Sequence, residues 1–202
     1  MTTHLAVLVA LATACSMGGR RPSYDYFVLT SDQPMPAEAP GGDETRALVV
    51  DQVSIPGYLD REQIAMRTLD HHLVYSPKDR WAESLDQAFA RTLREELAAE
   101  LVPRGIQVRS HGGAPAYELD VDVLRFEQRG PQQVELWARW TLRKDTEVVD
   151  SGETRLRVAM RGTDANAMAS ALSTTVARMA TQIADRVRAA EVVATHDRHG
   201  ER

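Results

Sequence analysis

The sequence predicts an α+β fold: a two-layer sandwich in which a mainly antiparallel sheet carries two long helices packed on one face. Three observations predict it. Residues 117–160 contain three runs of alternating apolar and polar residues joined by short turns, the pattern of an antiparallel meander with one wet face. Two apolar stripes, from Trp81 to Leu101 and from Met168 to Val187, recur at helical spacing. The elements follow in the order strands, helix, strands, helix, so both helices are available to one sheet.

Tyr24-Asp-Tyr-Phe-Val-Leu29 reads as the first strand, rich in aromatic and β-branched residues. Residues 31–45 hold three prolines and Gly41-Gly42 and read as a loop. A second strand, Ala47 to Ile55, stops at Pro56-Gly57, and Ile64 to Tyr75 contains one or two short strands. Ser76-Pro-Lys-Asp79 carries a helix-start signal: a capping serine, proline at the first helical position and an acid in the first turn. Trp81, Leu85, Phe89, Leu93, Leu97 and Leu101 then form one stripe, ended by Pro103 and Gly105. Ile106 to Arg109 is a short strand.

In the meander, Tyr117, Leu119, Val121 and Val123 alternate with Glu118, Asp120 and Asp122. The phase changes at Leu124 and Phe126, which predicts a bulge. Val134, Leu136, Ala138, Trp140 and Leu142 give the next inward set, and Leu156, Val158 and Met160 the third. Thr163 or Asp164 caps a final helix with the stripe Met168, Leu172, Val176, Met179, Ile183 and Val187. One domain thus spans 24–190, and residues 191–202 read as a polar, disordered tail.

The only cysteine, Cys15, follows the apolar run Leu5 to Ala14. That run is shorter than the roughly 20 residues a membrane-spanning helix needs and suits a secretory signal ending on small residues. Leu11-Ala-Thr-Ala-Cys15 resembles a bacterial lipobox. Cleavage between Ala14 and Cys15 would remove residues 1–14, leave the cysteine acylated and make 15–23 a tether. Ser16 favours sorting to the outer membrane. Two features depart from the pattern: Met1 to His4 has no Lys or Arg, and Ala12 stands where leucine is commoner. The reading they leave open is an apolar N-terminal strand with a buried free thiol.

A formal net charge of −5, with 43% hydrophobic and 26% charged residues, describes a globular chain and argues against a nucleic-acid-binding surface. The sequence holds no nucleophile-elbow, phosphate-loop or zinc-protease pattern. His71 and His72 adjoin in an extended segment and point to opposite faces. Glu118, Asp120 and Asp122 share a strand face and read as partners of arginines such as Arg139 rather than as a calcium site. These features give no cofactor, no metal site and no enzyme. Trp137 is the exception on the polar face, beside Glu135, Arg139 and Arg143. It reads either as an interface residue or as a residue covered by the chain's own 31–45 loop.

Several stretches together resemble the PqiC/YmbA-type auxiliary lipoproteins of ABC-type transport systems: Tyr24 to Leu29; Ile55-Pro-Gly-Tyr-Leu-Asp-Arg61 with Gln63, Ile64 and Arg67; Asp79-Arg-Trp-Ala-Glu-Ser-Leu85; and Trp137-Ala-Arg-Trp140. The resemblance covers most of residues 24–190. It implies a non-catalytic, outer-membrane lipoprotein facing the periplasm. Such a protein docks an MCE-domain (mammalian cell entry) protein and its ABC permease, which move lipids between the membranes, and acts as a homo-oligomer. It also marks Pro56, Gly57, Tyr58, Leu59, Arg61 and Trp81 as contact surface or scaffold. The structural version of that reading has Tyr58 and Leu59 plugging the sheet while Arg61 pairs with an acid. Two alternatives remain: an envelope lipoprotein binding peptidoglycan or another envelope protein, and a hydrolase assembling Ser54, His71 and Asp70.

Overall fold

The computed structural model describes residues 23–34, 47–69, 71–111, 117–144 and 146–200, without the side chains of 51, 52, 69 and 193–200. The elements are β1 (Asp25–Phe27), β2 (Ala47–Ser54), β3 (Gln63–Leu69), β4 (His72–Trp81), α1 (Leu85–Leu101), β5 (Gln107–Arg109), β6 (Tyr117–Arg129), β7 (Gln133–Lys144), β8 (Glu147–Ala159) and α2 (Ala165–Gly200). Residues 15–22 and 35–46 lie outside the described residues, as do Ala14 and the predicted signal.

The α+β class and the two helices match the prediction, but the sheet is mixed rather than mainly antiparallel. β3–β4, β6–β7 and β7–β8 are antiparallel, whereas β1–β4, β2–β5, β2–β6 and β3–β6 are parallel. The cause is a crossover. After β2 the chain runs through β3, β4 and α1, and α1 returns it to place β5 and β6 parallel to β2. One edge of β6 is shared, because β2 pairs its first half up to Asp122 and β3 pairs its end at Gln128 and Arg129. Ala47, Leu48, Val49 and Val50 are all buried. That unbroken apolar run is the signature of a strand covered on both faces, as parallel strands usually are.

α1 begins at Leu85 behind Ser84, not at the predicted Ser76. The Ser76 hydroxyl does accept the Asp79 N–H (3.1 Å), as a capping serine would. That bond closes a bulge in β4: Gln63 pairs with Arg80 and Ala65 with Tyr75, so residues 76–79 loop out between them. Arg80 holds the bulge by donating to the carbonyls of Ser76, Pro77 and Asp79. Trp81 thus reaches the core from a strand, and its four-residue spacing from Leu85 misled the helix reading. The rest of the stripe is fully buried, with Phe89 edge-on to Phe126 at 5.1 Å. Gly105, at φ 80°, ends the turn after α1.

The β6 bulge falls between Val123 and Arg125, where the phase change predicts it. Asp164 caps α2 by accepting the Ala167 N–H (2.7 Å), and every residue of the predicted α2 stripe is buried. Arg186 ties α2 to β8 by a two-pronged contact with Asp150 (2.6 and 2.9 Å). The segment predicted as a disordered tail is helical to Gly200, since residues 165–199 contain neither proline nor glycine to stop it.

Candidate docking face

With both helices on one face, the alternation in β6, β7 and β8 turns a second set of side chains outward. Two rows of that set run straight across the three strands: Glu127, Glu135 and Arg157, then Arg125, Trp137 and Arg155. Two carboxylates opposite each other, as Glu127 and Glu135 are, repel. Arginines from both neighbouring strands relieve that repulsion.

Glu135 is 1% exposed and sits under four guanidinium groups. Arg125 (3.2 Å) and Arg129 (3.0 Å) donate to Oε2, and Arg155 (3.2 Å) and Arg157 (3.1 Å) donate to Oε1. Two donors on each oxygen fill the acceptor sites of a carboxylate. Burial alone would push the Glu135 carboxyl up, but the four arginines outweigh it and hold the carboxyl down to about 2. Glu127, equally buried, pairs with Nε of Arg67, and that guanidinium lies over the Tyr58 ring (5.7 Å). Burial, with Glu127 alongside, raises the Tyr58 hydroxyl well above the usual range.

Trp137 lies between two guanidiniums, Arg155 at 5.0 Å and Arg125 at 5.4 Å from the ring centre. Its Nε1 is buried without an acceptor among the described residues, and so is Oε2 of Glu127 without a donor. Arginines from its own sheet therefore partly cover Trp137. Its predicted companions Arg139 and Arg143 pair elsewhere, with Glu153 (3.5 Å) and Asp120, so Asp120 does meet an arginine of the next strand.

The Pro56–Arg61 segment occupies the gap on β6 between the departure of β2 and the arrival of β3. Leu59 N–H donates to Pro56 O (2.8 Å), Tyr75 OH donates to Tyr58 O (3.1 Å), and Leu59 is buried in the core. Leu59 is thus core, and Tyr58 is half-buried beside β6. Arg61, exposed, lies over the Tyr75 ring (5.0 Å) and pairs with no acid among the described residues. Gly57 has no positive φ, and a Cβ there would meet nothing within 4 Å, so its turn does not demand glycine. Trp81 is buried core. The arginine cluster around Glu135 was missed from sequence, although Arg125, Arg129, Arg155 and Arg157 all fall on outward positions of alternating runs.

The hydrolase reading finds no geometry. Ser54 Oγ donates to Asp122 (2.7 Å), beside the first half of β6. The β3–β4 turn bearing His71 lies beyond Arg129, seven residues and about 20 Å further along that strand. Asp70 lies outside the described residues. Among the described residues no group of three His, Cys, Asp or Glu side chains stands ready to hold a metal. No helix there is long and apolar enough to cross a membrane.

Comparison with known proteins bears on the same stretch of chain. The chain is 27% identical over 150 residues to the intermembrane transport lipoprotein PqiC of Escherichia coli (strain K12), covering 74% of this chain and 78% of that one. The PqiC of Shigella flexneri gives the same figures. Two crystal structures share the fold. One is of an uncharacterized protein (TM-score 0.69, 24% identity, 82% of this chain and 99% of that one). The other is of protein XCC0632 from Xanthomonas campestris (TM-score 0.65, 18% identity, 85% and 99%). The model of the family described as "ABC-type transport auxiliary lipoprotein component" matches residues 27–184, nearly the whole described domain, and the chain belongs to that family.

Proposed function

We propose that the protein is a non-catalytic, lipid-anchored periplasmic component of an MCE/ABC-type system that moves lipids between the inner and outer membranes, and that it docks the transport assembly at the outer membrane. The family match over residues 27–184 carries this reading. The name of the Escherichia coli relative, an intermembrane transport lipoprotein, supports a role in transport between the two membranes. Acylated Cys15 supplies the anchor and Ser16 directs it outward. Each buried methylene contributes about 0.8 kcal/mol, so two or more acyl chains make attachment stable. In this role the protein works as a homo-oligomer beside an MCE-domain protein and its permease.

The test is affinity purification of the full-length, tagged protein from detergent-solubilised envelopes, with mass-spectrometric identification. An MCE-domain protein and an ABC permease should co-purify, and the anchored protein should fractionate with outer membranes. Recovery of peptidoglycan or an unrelated envelope protein, with neither transport component, would overturn the reading in favour of a structural lipoprotein.

A further inference from the structure

We infer that the basic half of the outer sheet face, centred on Trp137, docks an acidic segment of a partner protein; this rests on the docking role proposed above and specifies its chemistry. Among the described residues, Arg67, Arg125, Arg129, Arg155 and Arg157 stand around Glu127 and Glu135, five cations to two anions. The chain as a whole carries −5, so this patch opposes the sign of the rest of the molecule. An approaching acidic segment is drawn here and repelled elsewhere, which selects one orientation.

The guanidiniums are held in place before any partner arrives. Each has five N–H donors, and Arg125 and Arg155 each give one group to Glu135, Nη1 and Nε respectively. Arg125 is 30% exposed, Arg155 48% and Arg157 49%, so their remaining N–H groups face outward from a fixed base. Glu135 thereby acts as a positioning residue for the arginines above it. Fixing them in advance lowers the ordering cost of binding, and planar forks suit carboxylates.

The spread of the cations indicates the class of partner. Their backbones lie across four neighbouring strands, β3, β6, β7 and β8, about 14 Å, and along four residues of β6, about 13 Å. With Glu135 already held from below, the more exposed guanidiniums, from β6 on one side of β7 and β8 on the other, can meet successive carboxylates of one acidic segment. Trp137 is gripped between guanidiniums rather than free to enter a lipid headgroup layer.

The test titrates the full-length, acylated protein in neutral detergent with acetylated hexaglutamate by calorimetry, and reads tryptophan fluorescence in parallel. Binding should weaken as salt rises and should be at least tenfold weaker in Arg155→Glu/Arg157→Glu. The fluorescence change should be lost in Trp137→Phe. Should the double reversal fail to fold by circular dichroism, Arg155→Gln/Arg157→Gln takes its place. Equal affinity for wild type and the charge variants overturns the inference. So does binding to phosphatidylglycerol vesicles, but not to hexaglutamate, that the variants lose, which would make a lipid surface the occupant. A lower mass of the variants by light scattering would make it a second copy. Co-purification separates the two readings. An MCE-domain protein recovered equally with wild type and the variants leaves docking standing and sinks this inference. Its absence from both sinks the docking role, and the peptide titration still decides the acidic-segment inference.

Discussion

Replacing Glu135 by glutamine keeps the shape and one acceptor oxygen under the four arginines but removes the charge. The size of the effect follows from the carboxyl's environment. Moving a carboxyl from 4.5 down to about 2 corresponds to about 3 kcal/mol of preferential stabilisation of the charged form. Glu135 itself is buried, but the arginines over it are 30–49% exposed, and solvent screens their attraction. The discounted figure is about 1–2 kcal/mol, or about 2–8 °C in melting midpoint for a chain of this size. The folded carboxyl titrates below its unfolded value, so its contribution is complete above about pH 5 and is lost as the pH falls towards 2. Urea unfolding of wild type and Glu135→Gln, followed by circular dichroism at pH 7, 5 and 3, should show a gap at pH 7 that narrows at pH 3. A variant as stable as wild type at pH 7, or a gap that does not change with pH, would refute the hub's role.

Four further outcomes are expected. Intact-mass analysis should show loss of residues 1–14 and added acyl mass, and Cys15→Ser should leave the protein unprocessed or released from membranes; a mature chain of plain polypeptide mass counts against the anchor. Gly152→Ala should destabilise by about 1–3 kcal/mol, because the new Cβ would lie 2.5 Å from the buried Trp140 ring; an unchanged melting midpoint would mean that the ring moves aside at no cost. Asp164→Ala should cost about 1 kcal/mol through loss of the Ala167 cap, whereas Asp164→Asn should cost much less in the same thermal melts. Trp137→Ala should leave the far-ultraviolet spectrum nearly unchanged yet weaken recovery of the MCE-domain partner, by about 2 kcal/mol or more where the residue is a binding anchor.

Where periodicity alone sets structure, the sequence was legible. The α2 stripe, the inward sets of β6 and β7, and the bulge before Arg125 are local patterns, since a side chain's face depends on its spacing from its neighbours. Ser76 shows the limit. Its hydroxyl makes the bond a capping serine makes, yet it closes a bulge inside β4, because Tyr75 and Arg80 on either side pair with β3 and Asp79 to Trp81 pair with β1. A local signal lost to long-range pairing.

The sequence by itself determined most of the strands and helices, though not the start of α1 or the end of α2, which residues face inward along them, and that a lone cysteine follows a signal-like run. Tertiary structure decided two things. Strand direction depended on α1 carrying the chain back to lie parallel to β2, and an alternating pattern looks the same for either direction. The site depended on register. Arg125, Arg129, Arg155 and Arg157 come from two strands up to 32 residues apart in the chain, and only the pairing of β6 and β8 with β7 brings them over Glu135. Alternation shows that each arginine points outward, but a two-residue slip would keep every side chain on its face and still separate the cluster.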